Sequence, residues 1–584
     1  MKDFFQLTTN LKRDFSGLIP VKLALLGDSS TQFLQQALRG MAYDRGMDLQ
    51  IFEADFNQVE RQAFDRDSEL YAYKPEIVVI FQSTERLHAE YNYLAPAEKN
   101  KLAEQRLALV KELYKTISVN LSAKVIYYNY AEINDAVFGN YSNKLDFTFL
   151  FQQRKLNYEL MNFASLNSDF YICDLLSIQN QQGRNFFFHP STYINAEMVL
   201  SLDVLPLVAA STLDIISALK GKFKKCLVLD LDNTLWGGII GDDGMENIQL
   251  GNLGIGKAFT EFQHWIKKLK ERGIILAVCS KNTHEVAMEP FEKHPDMVLR
   301  PEDIAVFVAN WENKVDNIRY IQNFLNIGFD SMVFLDDNPF ERAMVQENIP
   351  EITVPHLPED PAEFLGVLYA LNLFETTSYS REDSERNASY RIETERLSLS
   401  KTFTNENEFL RNLDMESVVE NFTRFNTPRV AQLSQRSNQF NLRTLRYTES
   451  ILETISGSNN YFPFAFSLRD KFGDYGLICV VVLKEEKPTS LFIESWFMSC
   501  RVLKRGMEQF VLNTISDFAL SKGFEYLRGE YLPTEKNGMV RDHYLNLGFK
   551  EEDGSWFLDL KSYQTKETCI SIVKKYEPGP TRII

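Results

Sequence analysis

Short apolar runs recur along the chain, separated by stretches whose apolar residues fall at helical spacing. Val21–Leu26, Ile77–Phe81 and Lys124–Tyr130 are mostly unbroken apolar runs, the last two rich in β-branched or aromatic residues, as strands buried on both faces of a parallel sheet should be. Gln32–Arg45 and Ala97–Thr116 between them carry a helical period. The alternation predicts an α/β domain over residues 1–203. A second α/β set, over 204–375, has strands expected at Cys226–Leu229, Ile274–Val278, Ile304–Val308 and Met332–Leu335, and helices at Phe259–Glu271 and Lys314–Leu325. From Thr376 to about residue 412 the chain turns polar and charged with helical spacing, a solvated helical connector. Over 413–565 helices alternate with long β-rich runs at Phe462–Leu468, Gly476–Leu483 and Ser490–Met498, an α+β pattern, and 566–584 is left as a tail.

Length and composition agree with several globular domains. At about 150 residues per domain, 584 residues give three or four. No apolar run approaches the ~20 residues of a membrane span, and Met1-Lys2-Asp3-Phe4-Phe5-Gln6 lacks the order of a signal peptide. Six scattered cysteines without a C-x-x-C pair exclude the usual zinc cluster and give no disulfide framework, so a cytoplasmic setting is expected. A formal net charge of −17 disfavours nucleic acid, whose binding is dominated by cations on phosphate. The basic stretches at Lys220, Lys222, Lys224 and Lys225, and at Arg501, Lys504 and Arg505, read as solvated flanks.

The chemistry concentrates between Asp230 and Asn338. Leu227-Val228-Leu229-Asp230-Leu231-Asp232 is a buried strand ending in two carboxylates two residues apart. Alternation puts both on one side of the strand's carboxyl end, where α/β sheets place their ligands. Like charges that close require a cation between them or a shared proton, and Mg²⁺ suits oxygen ligands plus a substrate phosphate. Later strands end in order on Ser280-Lys281-Asn282, offering a hydroxyl and amides for a phosphate oxygen, and on Asp336-Asp337-Asn338, more carboxylate for the metal. Lys314 opens a helix between them, placed to neutralise charge on a transferred group.

These four motifs closely resemble those of the haloacid-dehalogenase (HAD) superfamily. The resemblance implies that Asp230 is the nucleophile and Asp232 a general acid/base lending its backbone carbonyl to Mg²⁺. It makes Asp336 and Asp337 the completion of the metal site, and Ser280 and Lys314 the holders of the phosphoryl group. Forty-nine residues separate Asp230 from Cys279 and 33 separate Lys281 from Lys314. Neither gap holds a cap domain, and an open site suits a macromolecular substrate.

The run CLVLDLDNTLWGGIIGDDG over Cys226–Gly244, with Cys279-Ser280-Lys281-Asn282, Asn313-Lys314 and FLDDNPFER over Phe334–Arg342, is similar to the FkbH-like family across about Lys224–Lys561. That resemblance implies an acyl phosphate substrate, 1,3-bisphosphoglycerate, whose glyceryl group passes to the phosphopantetheine thiol of an acyl carrier protein in polyketide-type pathways. Cys279 and Cys500 are candidate transient acyl carriers, against the plain reading of small buried hydrophobes.

The last domain resembles the GNAT acyltransferase fold. Arg501 and Gly506 match the family's phosphate- or pantetheine-binding loop, Lys504 stands at its first glycine position, and Arg505 lies beside them. His543-Tyr544 and Gly548-Phe549 resemble the end of that fold. Gly27-Asp28-Ser29-Ser30 resembles the opening block of SGNH hydrolases. However, Phe186 stands where an orienting acid should precede His189, which implies a degenerate, flavodoxin-like scaffold with Ser29 as a helix cap. The expected whole is therefore a multidomain α/β enzyme with a capless HAD centre. The alternatives are a HAD phosphatase whose outer domains recruit a partner, and a GNAT-type acyl-CoA transferase.

Overall fold

The structure, a computed structural model, describes residues 2–379, 403, 405–499, 502–503, 505–534 and 536–574. Most of the charged connector, Cys500, Arg501, Lys504 and the end of the tail lie outside the described residues. The chain folds into two compact units, Met1–Ser217 and Ala218–Ile584.

The first unit is a parallel sheet of β1 (Ile19–Gly27), β2 (Met47–Glu53), β3 (Ile77–Phe81), β4 (Lys124–Tyr128) and β5 (Phe170–Cys173), in the order β2-β1-β3-β4-β5. This is the doubly wound flavodoxin-like order, with the winding reversing between β1 and β3. β3 is buried at all five positions, as its apolar run requires. The helix Gln32–Asp44 follows Thr31, which occupies the cap position expected of Ser29. The Ser29 hydroxyl is instead buried without a hydrogen-bond partner among the described residues.

The second unit holds two sheets. One is parallel, in the order β8-β7-β6-β9, from β6 (Cys226–Leu229), β7 (Ile275–Ser280), β8 (Val306–Ala309) and β9 (Met332–Leu335). β6, β7 and β9 are buried at every position, so this part of the sheet lies between two apolar layers. Leu229 pairs with Val278 on one side and Leu335 on the other, so the next residues, Asp230, Cys279 and Asp336, emerge side by side. The chain between β6 and β7 is taken up by the short helix Ile240–Asp243 and the helix Gly254–Glu271, and that between β7 and Lys314 by His284–Lys293, a single turn and β8. No cap domain is inserted at either place.

The other sheet is mixed and eight-stranded, in the order β15-β16-β14-β13-β12-β11-β10-β17, with β10 (Met415–Glu420), β15 (Lys550–Glu552), β16 (Ser555–Asp559) and β17 (Ile570–Lys574) toward its edges, so part of the segment expected as a tail pairs with β10. Its central members are β11 (Tyr461–Asp470), β12 (Gly473–Lys487), β13 (Ser490–Met498) and β14 (Tyr526–Gly529). β13 and β14 run parallel and pair over Ser490–Phe492 and Tyr526–Arg528. Farther along that edge of β13 the partner is the segment Phe440–Leu442, with Leu442 N donating to Trp496 O at 3.1 Å and Met498 N to Phe440 O at 3.0 Å. Among the described residues no helix is long and apolar enough to cross a membrane.

Candidate active site at the carboxyl end of β6

Lys314 begins the helix Lys314–Leu325, whose amino end is capped by the Asn313 side chain on Asp316 N at 2.8 Å. The cap fixes where the helix starts and aims the lysine across the sheet end. Its ammonium lies 2.9 Å from Asp230 Oδ2 and 2.7 Å from Asp336 Oδ2, and all three side chains are almost entirely buried. Burial alone would lower the lysine's pKa, but the carboxylates of Asp230 and Asp336 outweigh it and hold the amine charged. Burial raises Asp230, and burial together with the charge of Asp230 pushes Asp336 up to about 6. Asp337 is also raised, by burial and then by Asp336.

Carboxylate oxygens of Asp230, Asp336 and Asp337 lie within 4.8 Å of one another. Asp230 Oδ1 is buried and accepts no hydrogen bond among the described residues. One ammonium cannot neutralise three clustered carboxylates, and an orphaned buried oxygen asks for a partner. A hard divalent cation is the group this donor set fits.

Neighbouring residues brace the cluster. Asp337 N donates to Thr234 Oγ1 at 3.1 Å, and Asn338 N to Asp336 Oδ1 at 2.8 Å. Buried Arg342 donates to the carbonyls of Asp336 and Asp337 at 2.7 and 2.6 Å, locking the turn after β9. Lys281 is drawn to Glu341 at 2.5 Å. Asp232, half-buried, accepts from Trp236 Nε1, Ile240 N and Asn282 Nδ2. The expectations named Asp230, Asp232, Ser280, Lys314, Asp336 and Asp337, and these gather at one sheet edge, with Ser280 ending β7. Thr234, Trp236, Asn282 and Arg342 were missed as contributors, although the W-G-G, S-K-N and N-P-F-E-R runs contain three of them.

The two cysteine candidates fare differently. Cys279 packs in the apolar cluster beneath the site with Val228, Ala277 and Val315, and its sulfur lies 3.8 Å from Lys314 O. Burial drives its thiol well above the ordinary range, opposite to what a thioester carrier needs. Cys500 lies outside the described residues.

In the third sheet, Arg505 is a structural tie and is not turned out to a ligand. It is 6% exposed and donates to Tyr475 and, at 3.4 Å, to Asp470 Oδ2. Gly506, at φ +75°, takes the left-handed conformation that starts the helix Met507–Ser521. His543 is wedged edge-on against Trp496 and Phe440, and burial lowers its pKa to about 3, so it stays neutral. An extended amide-bearing arm would pair with a free strand edge, but Phe440–Leu442 already fills that edge of β13.

In the first unit Asp28 accepts Ser83 N at 2.9 Å on each oxygen, and burial raises its pKa to about 7. His189 is about half exposed, with Asp203 at 4.0 Å.

Comparison with known proteins places this architecture. Residues 22–217 match the family described as FkbH, N-terminal domain. A solved structure, the N-terminal part of the protein BF1531 from Bacteroides fragilis containing a phosphatase domain complexed with Mg, is 55% identical. The match covers 65% of this chain and 100% of that one, with a TM-score of 0.63. The chain belongs to the FkbH-like family. The FkbH-like match on residues 22–217 extends membership into the segment that the motifs had left as an SGNH-like scaffold outside it. About a quarter of the chain overlays the ribosomal-protein-S18-alanine N-acetyltransferase of Escherichia coli (13% identity, 26% of this chain, 98% of that one, TM-score 0.20). The spermidine N-acetyltransferase of Vibrio cholerae gives 14% identity over 25% of this chain and 98% of that one, with a TM-score of 0.21. No curated protein matches the chain.

Proposed function

We propose that this FkbH-like protein is a Mg²⁺-dependent phosphatase of the HAD type that works through an aspartyl-phosphate at Asp230. The carrying observation is the buried Lys314 ammonium between Asp230 and Asp336, with a third carboxylate within 4.8 Å and Asp230 Oδ1 left unpartnered. Asp230, Asp336, Asp337 and the Asp232 carbonyl would hold Mg²⁺, which when bound supplies positive charge opposite the phosphoryl oxygens. Asp230 supplies the nucleophilic oxygen, Lys314 offsets charge growing on the transferred group, and Ser280 and the amides after β7 bind its oxygens. Asp232 moves the proton. The experiment is Mg²⁺-dependent phosphate release by the parent and by Asp230→Asn, where full activity in the variant would refute the nucleophile.

Family membership favours a finer reading, in which the substrate is an acyl phosphate, 1,3-bisphosphoglycerate, and the glyceryl group ends on the phosphopantetheine thiol of an acyl carrier protein in the cytoplasm. Atom balance divides that reaction in two. Attack by Asp230 on the phosphorus of the acyl phosphate would release a carboxylate and lose the acyl group's activation. Thioester formation therefore has sulfur attack the carbonyl carbon, the C–O bond to phosphate break, and the thiol proton leave with phosphate or water. Removing the other phosphate, an ordinary ester, is the step suited to Asp230. Intact mass spectrometry after incubation with Mg²⁺, 1,3-bisphosphoglycerate and holo-carrier tests it. A glyceryl adduct on the carrier supports transfer, and phosphate release with no adduct leaves the phosphatase alone.

A further inference from the structure

Asp232 stands two residues beyond the proposed nucleophile, and three donors converge on its carboxyl. Trp236 Nε1 donates to Oδ1 at 3.0 Å, Ile240 N to the same oxygen at 2.9 Å, and Asn282 Nδ2 to Oδ2 at 3.2 Å. Two N–H groups on Oδ1 occupy both of its lone pairs, which fixes the plane of the carboxyl and leaves Oδ2 as the oxygen with a lone pair to spare.

The loop delivering the first two donors is closed on itself. Asn233 N donates to Gly238 O at 3.3 Å, and Gly238 N returns to Asn233 Oδ1 at 2.9 Å. Gly237 and Gln249 exchange backbone hydrogen bonds of 3.2 and 2.8 Å. Gly238 sits at φ +95°, and a Cβ there would come within 2.7 Å of Asp243 Oδ2. Trp236 is fully buried and lies edge-on to Phe291 at 6.1 Å, so its N–H, shut off from water, depends on the Asp232 oxygen. Asn282, nearly buried, has its own carbonyl engaged by Thr283 N at 2.8 Å, which turns its amide nitrogen toward Asp232.

We propose that Trp236 and Asn282 are positioning residues that hold the Asp232 carboxyl with Oδ2 toward the scissile bond. The inference rests on the phosphatase reading. In the first half-reaction an Asp230 oxygen bonds to phosphorus, the P–O bond to the leaving group breaks, and the Asp232 proton passes to the departing oxygen. In the second, a water oxygen bonds to phosphorus, its proton returns to Asp232, and the Asp230–phosphorus bond breaks to release phosphate.

The test compares Trp236→Phe, Asp232→Asn and the double variant on phenyl phosphate and 4-nitrophenyl phosphate, whose leaving group is the less basic. Trp236→Phe lowers kcat on phenyl phosphate about tenfold more than on 4-nitrophenyl phosphate, with KM unchanged. In the Asp232→Asn background it lowers kcat no further. Equal losses on the two esters, or additive losses in the double variant, would make Trp236 a packing residue and overturn the proposal. Should Trp236→Phe fail to fold, Asn282→Ala carries the same comparison. An independent readout is the Trp236 indole N–H resonance, one of five tryptophan indoles in the chain, which shifts in Asp232→Asn. An active parent whose indole resonance does not move overturns the positioning alone. A parent that releases no phosphate from either ester overturns the phosphatase reading and the positioning with it.

Discussion

Replacing Lys314 with methionine keeps a similar chain length and removes the ammonium that touches Asp230 at 2.9 Å and Asp336 at 2.7 Å. At an effective dielectric of ~20, each contact corresponds to about 6 kcal/mol of gross attraction. Desolvation of the buried ions offsets most of it, so a net loss of about 3–5 kcal/mol is expected for leaving buried charge unpaired. The loss depends on pH. Asp336 is raised to about 6, and Asp230 and Asp337 are raised as well, so the folded site holds protons that an unfolded chain has released. Such groups contribute stability below the ordinary carboxylate range that disappears as pH rises through about 6. Without lysine to lower them, the carboxyls rise further, and the penalty of Lys314→Met is small at pH 4.5 and full at pH 8. The assay is calorimetry in EDTA, following the transition that moves when Mg²⁺ is added to the parent. That transition falls by about 10 °C in the variant at pH 8, at ~2–4 °C per kcal/mol, and recovers in part with saturating Mg²⁺. An unchanged transition at pH 8 in EDTA, or equal shifts at pH 4.5 and pH 8, would refute the view that this lysine neutralises a strained carboxylate cluster.

Asp28, pushed up to about 7, likewise loses stability as pH rises from the usual carboxylate range toward neutrality. Asp28→Asn, which cannot ionise, therefore stabilises the first unit by at most about 4 kcal/mol at pH 8 and not at pH 4, read by urea unfolding; a pH-independent effect counts against the reasoning. Cys279→Ala costs about 1–2 kcal/mol through lost packing and leaves transfer to the carrier thiol intact, checked by denaturation and intact mass. Loss of transfer in a stably folded variant would restore the covalent relay, and full transfer in Cys500→Ala as well would leave direct attack by the carrier thiol. In ¹⁸O-water with 1,3-bisphosphoglycerate and carrier, each glyceryl thioester is accompanied by two phosphates, one carrying solvent oxygen and one without; label in both means that the acyl phosphate was hydrolysed.

The carboxylate cluster was legible because its signals are local. β6 is apolar at four consecutive positions and stops at a carboxylate, and the same holds for β9, so each motif announces both its strand and its end. Parallel pairing in register then forces Asp230 beside Asp336. β2 and β5 were not legible. β2 alternates Asp48 and Gln50 with apolar residues at a sheet edge, and β5 has four residues, too few for a period to show. The cysteine and arginine candidates depended on side-chain direction, which spacing near a strand end does not fix. Arg505 lies beside the glycine that starts a helix and still turns inward, because Tyr475 and Asp470 offer it acceptors inside the sheet. Cys279 follows the alternation of β7, sharing the inner face with Ile275 and Ala277. That face is the one Asp230 and Asp336 continue, but Cys279 is fully buried there among Val228, Ala277 and Val315. The W-G-G run could be quoted from the sequence but not explained, since its meaning is a contact between Trp236 and a carboxylate four residues earlier across a closed loop. A stretch that folds back on one neighbouring side chain has no period and no composition. Its sense lies in the hydrogen bonds, which under our proposal tie Trp236 and Asn282 to the same phosphoryl chemistry as the aspartates.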